Sequence, residues 1–85
     1  ELLSLRTLIL SDNLIADIKS SAFNYLNKLR FLDLSNNKIE TLETQHFIDL
    51  SHLQELRLTN NNLITLNKPF TSLLNSSARK LVISI

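Results

Sequence analysis

The chain has 85 residues, with nine Lys+Arg against eight Asp+Glu for a net charge of +1 and a hydrophobic share of 44%. This suits one domain of modest core and argues against a chain-wide stripe for polyanions or membranes, while leaving room for a local patch. Cysteine and glycine are absent, which excludes disulfides, thiolate metal sites and the usual glycine-rich phosphate loops.

In chain order, Leu2 precedes Leu26 by 24 residues, so residues 1–4 read as the tail of an earlier repeat. A full pattern then opens with Leu5, Leu8, Leu10, Asn13 and Ile15. It returns as Leu29, Leu32, Leu34, Asn37 and Ile39, and again as Leu53, Leu56, Leu58, Asn61 and Leu63, each set 24 residues after the last. Ile18, Phe23 and Leu26 recur as Leu42, Phe47 and Leu50, and in part as Leu66, Phe70 and Leu74. Fixed-period self-similarity of this kind defines repeats 5–28, 29–52 and 53–77. Residues 78–85 read as the strand of a fourth repeat, with Leu81 and Ile83 in its two leucine slots. Both ends therefore read as cuts through a longer solenoid, with no cap and no secretion signal in view.

Within each unit the second and third leucines alternate with outward residues, which predicts a short strand with its leucines facing inward. Strands of successive repeats are expected to pair in parallel. The chain must then turn, and a backbone group left buried without a partner costs about 1–3 kcal/mol. An asparagine side chain supplies both an amide donor and a carbonyl acceptor. Asn13, Asn37 and Asn61 are therefore expected to form a structural ladder that bonds the turn backbone of their own and neighbouring coils. Asn36 and Asn60 read as outward residues on the same turn. Phe23 and Phe47 are expected to stack on the opposite side, joined by Phe70 after a kink at Pro69. The segments "IKSSAFNYL" and "LETQHFIDL" have only weak helical spacing, so irregular chain or a short helical turn is expected there.

The pattern resembles the leucine-rich repeat family, in the 24-residue form of animal extracellular proteins, over nearly the whole chain. The resemblance implies an α/β solenoid, a curved horseshoe fragment with short parallel strands on its concave face. It further implies a protein-recognition segment of an extracellular or cell-surface receptor ectodomain, of Toll-like or adhesion type. The alternatives are a secreted immune or matrix protein and an intracellular inhibitor or adaptor module. Implied partners are a protein or glycoconjugate ligand and a receptor dimer partner, with no nucleic acid, no cofactor and no membrane contact within this stretch.

Outward positions on the predicted strands form rows across the sheet. These are Arg6, Arg30, Gln54 and Arg79; Thr7, Phe31, Glu55 and Lys80; Ile9, Asp33, Arg57 and Val82; and Ser11, Ser35, Thr59 and Ser84. A fixed interior with a freely varied exterior suits recognition. Phe31 is the expected exposed anchor, with Arg30, Asp33, Glu55 and Arg57 as polar ligand contacts, since aromatics and arginines dominate interfaces. The plainer alternative makes Asp33, Glu55 and Arg57 cross-strand ion pairs of little energetic consequence. Leu14, Lys38 and Asn62 are candidates for binding at the lateral edge.

Catalysis and metal binding find little support. His46, Asp49, Ser51 and His52 lie close in sequence, but a triad is made by geometry and the spacing matches no established metal-ligand set. They read as solvated residues of a non-catalytic chain. Asn75-Ser76-Ser77 fits the acceptor for an N-linked glycan.

Overall fold

The computed structural model describes residues 4–19, 21–42, 47, 50–64 and 82–84. Four strands are present: β1 (Thr7–Ile9), β2 (Phe31–Asp33), β3 (Glu55–Arg57) and β4 (Val82–Ser84). Each of the first three centres on one inward leucine, namely Leu8, Leu32 and Leu56, flanked by two outward residues. All neighbours pair in parallel in the spatial order β1-β2-β3-β4, with Leu8 opposite Leu32 and Leu32 opposite Leu56. Spatial order equals sequence order, so the chain advances by one coil per strand.

Three residues make a weak strand, and the ladder is lengthened by flanking backbone. The amides of Arg30 and Phe31 both donate to the Arg6 carbonyl, at 2.8 and 3.1 Å. Those of Gln54 and Glu55 do the same to Arg30, again at 2.8 and 3.1 Å. Past the strands, the Leu10 amide donates to Asp33, that of Leu34 to Arg57, and that of Leu58 to Ser84.

The turn that follows is held by asparagine amides. Asn37 is buried, and its Nδ2 donates to the carbonyls of Leu34 and Ser35 in its own coil and of Leu10 in the coil before. Its Oδ1 accepts the Ile15 amide, also in the preceding coil. Asn61 repeats the scheme, donating to Leu58 and Leu34 and accepting from Ile39. Asn13 is exposed and donates only within its own coil, to Leu10 and Ser11. One side chain thus closes the bend of one coil and fastens it to the next.

Inward apolar side chains fill the space between the sheet and the returning chain. Leu29, Leu32, Ile39, Phe47, Leu50, Leu53, Leu56 and Leu58 are fully buried. Their first-coil relatives Leu5, Leu8, Leu10, Ile15 and Ile18 are only partly buried, because a described coil covers them on one side alone. A fully buried leucine or phenylalanine contributes about 1.5–3 kcal/mol, so the middle coil carries most of the apolar stabilisation. On the side opposite the sheet the chain runs in tight turns. Carbonyls of Phe23 and Leu26 accept the amides of Leu26 and Leu29, and those of Phe47 and Leu50 repeat this with Leu50 and Leu53. Phe23 and Phe47 stack with centroids 5.8 Å apart at 25°. Phe70 and Pro69 lie outside the described residues.

The fourth strand corrects one expectation. Ile83, and not Leu81, stands opposite Leu56, with Val82 beside Glu55 and Ser84 beside Arg57. By register Val82 and Ser84 therefore continue the rows of Glu55 and Arg57, two places later than the 24-residue frame with one inserted residue would put them. A shift of two leaves the in-and-out alternation unchanged, so hydrophobic pattern cannot separate the two registers.

Replacing Asn37 removes four hydrogen bonds from a buried position, whereas Asn13 has two at an exposed one. Asn37→Ala is therefore expected to lower unfolding free energy by about 1–3 kcal/mol, and Asn13→Ala by less than about 1 kcal/mol. Urea denaturation compares them directly; coincident midpoints for the two variants would contradict an inter-coil role for Asn37.

Candidate functional site

The outward face of the sheet carries a hollow of about 500 Å³ just past the strand ends. It is lined by Ser11, Asp12, Asp33, Ser35, Asn36, Arg57, Thr59 and Ser84, every one polar. Its floor is the ladder itself, because outward residues on adjacent strands are held about 4.8 Å apart by backbone pairing. Register places Asp33 between Ile9 and Arg57, so an acidic and a basic residue occupy paired positions on neighbouring strands.

Arg57 is the best-positioned group. Its Nε donates to the Glu55 carboxylate two residues back on the same strand. Its guanidinium carbon lies 5.2 Å from the centre of the Phe31 ring on the adjacent strand, a cation–π contact. The hydrogen bond and charge of Glu55 raise the Arg57 pKa above its ordinary value, and the charge of Asp33 adds to this, so the cation is kept at any physiological pH. Asp33 does not pair directly with Arg57; its Oδ1 accepts the Ser35 amide at 2.9 Å, which fixes the carboxylate at the rim of the hollow. The ion pair on this face therefore runs along one strand and not across two, as the plainer sequence reading had expected.

The expected ligand contacts divide into two places. Asp33 and Arg57 line the hollow, with Glu55 and Phe31 holding Arg57 from behind. Phe31 is half-buried under that guanidinium and is not the bare anchor expected. Arg30 is exposed at the opposite edge, where the strands begin, and is not part of the lining. Leu14, Lys38 and Asn62 are all exposed beyond the asparagine turn. Asn75, His46 and Asp49 lie outside the described residues. Ser51 Oγ is 3.3 Å from His52 Nδ1, but that nitrogen is also 2.7 Å from the Asn27 carbonyl, to which it donates. The imidazole is thus engaged by backbone. No group of three metal-ligating side chains occurs among the described residues.

Asn36 and Asn60 are exposed on the turn, as their places in the repeat predict. Asp12, Asn36 and Asn60 adopt left-handed backbone, with φ of 60°, 58° and 60°. In a chain without glycine, Asp and Asn are the residues that tolerate this region best. Asn60 Nδ2 also donates to Asn36 Oδ1 at 2.8 Å, forming a second, exposed amide contact beside the buried ladder. The signal was available as Asp or Asn at a 24-residue period one place before each ladder asparagine. Tyr25 shares the left-handed conformation, with φ of 70°, and nothing in its surroundings explains it.

A family model described as leucine rich repeat matches residues 4–63, and a second of the same description matches residues 52–75. No curated protein matches the chain.

The left-handed turn at the edge of the hollow can be tested by substitution. Asn36→Gly keeps that conformation free of cost, whereas Asn36→Ala forces a Cβ into it, so the alanine variant is expected to be about 1–2 kcal/mol less stable than the glycine variant. Equal stability in urea would show that the turn relaxes out of the left-handed region.

Proposed function

Since the chain belongs to the leucine-rich repeat family, we propose that it is a protein-recognition segment of an extracellular receptor ectodomain, Toll-like or adhesion type, that binds through its outward sheet face. Repeats of this family commonly mediate protein recognition. The observation that carries the reading is the Arg57 guanidinium, held by Glu55 and Phe31 at the rim of a polar hollow opposite Asp33. Interfaces draw binding energy from pre-positioned arginines and aromatics, because little side-chain freedom remains to be lost on association. The all-polar lining suits a charged or hydrogen-bonding group of a protein partner better than an apolar small molecule, whose pockets are mostly hydrophobic.

The curved horseshoe and the extracellular placement belong to the same proposal. They are supported by the 24-residue repeat and by the acceptor triplet Asn75-Ser76-Ser77. The partner is a protein or glycoconjugate ligand, with the exposed lateral positions Leu14, Lys38 and Asn62 available to a second receptor copy. Recognition here requires neither cofactor nor catalysis.

Two measurements test this reading. In the intact protein made by animal cells, mass spectrometry is expected to find an N-linked glycan on Asn75; an unmodified asparagine in protein recovered from the cytosol would move the chain inside the cell. A photo-crosslinking residue at Thr59, on the hollow, is expected to capture an extracellular protein, and Arg57→Ala to reduce that yield about tenfold. Unchanged yield would take the binding surface away from the hollow.

A further inference from the structure

At the edge where the strands begin, Arg6, Lys28 and Arg30 are exposed, and none makes an ion pair among the described residues. The Arg30 amide donates to the Arg6 carbonyl at 2.8 Å, so these two arginines are immediate neighbours on adjacent coils. Lys28 stands two residues before Arg30, with the buried Leu29 between them. His52 occupies the place in the third coil that Lys28 holds in the second, and its Nδ1 contact with the Asn27 carbonyl ties these two coils together.

The described acids are elsewhere. Of the described carboxylates, Asp12, Asp17, Asp33 and Glu40 all lie at the far ends of the strands or beyond them, and Glu55 is engaged by Arg57. Among the described residues the strand-start edge thus carries three cations, Arg6, Lys28 and Arg30, with no acid paired to them. Neighbouring like charges repel, and an anion laid along the edge would relieve this.

We propose that this edge is a binding site for a sulfated polysaccharide. The cations stand on two adjacent coils, Arg6 beside Arg30, in the direction in which backbone pairing spaces residues by about 4.8 Å, so a linear polyanion laid across these coils meets them in turn. Around them stand Ser4, Asn27 and Gln54, exposed hydroxyl and amide groups suited to sugar hydroxyls. Arginine forks bind the oxyanion through paired hydrogen bonds. Among the described residues these rows contain no aliphatic anchor of the kind a protein interface centres on, and their one ring, the His52 imidazole, is already held by the Asn27 carbonyl. The site is separate from the hollow past the strand ends and stands independently of its function.

The test uses the full chain and a heparin oligosaccharide of defined length as probe, titrated at several salt concentrations. Lys28→Gln combined with Arg30→Gln is expected to weaken binding at least about tenfold and to lower the slope of log affinity against log salt by about two. Arg6→Gln alone weakens it less, and Lys38→Gln, beyond the asparagine turn, leaves it unchanged. Circular dichroism verifies that the variants fold; should the double variant unfold, Arg6→Gln against Lys38→Gln gives the same comparison. Absence of heparin binding, equal losses for Lys38→Gln and the edge variants, or tighter binding to polyglutamate or to phosphatidylserine vesicles than to heparin would each overturn the proposal.

Discussion

The amide of Asn37 is the contact on which the rest of the structure depends. It satisfies carbonyls in two consecutive coils and accepts a backbone amide from the earlier one, so bending the chain and stacking the coils are accomplished by one side chain. Strands of three residues have too few ladder bonds to specify a sheet by themselves. The asparagine contacts continue the inter-coil bonding past the strand, where the chain must leave the sheet and would otherwise strand polar backbone in an apolar interior. Leucine burial supplies the free energy, and the asparagines decide the path along which it is gained.

This division of labour leaves the outward face unconstrained. Arg57, Asp33 and Phe31 contribute little to the core, yet their positions are set by it, because the ladder fixes the spacing of the strands from which they project. Two surfaces of different character follow. Past the strand ends lies a mixed-charge polar hollow with a fixed guanidinium; before the strand starts lies a basic edge, unpaired among the described residues. They are separated by the length of a short strand, and neither draws on the side chains packed beneath.

Much of the scaffold is legible in the chain because its period is short and its constraints recur. Leu8, Leu32 and Leu56 fall in line, and Phe23 stacks on Phe47, since equal spacing in sequence becomes adjacency in space once coils stack. The site is less legible. Outward rows could be written down, but the choice between Asp33 and Glu55 as partner of Arg57 turned on side-chain reach along one strand, and Phe31 was read as bare because its cover comes from the next coil. The left-handed backbone of Asp12, Asn36 and Asn60 has a mark in the sequence, Asp or Asn at the 24-residue period, since these residues tolerate that region best in a chain without glycine.

By itself the sequence determined which described residues of the first three repeats face inward and where their strands must end, because alternation and the recurring asparagine are local features carried in each of these copies. The tertiary structure alone decided the register of the last strand, since Ile83 and Leu81 satisfy the same alternation and only pairing with Leu56 distinguishes them. It alone also decided that Asn37 is buried while Asn13 is exposed. Identical motifs acquire different environments because burial in a stacked coil is conferred by its neighbours.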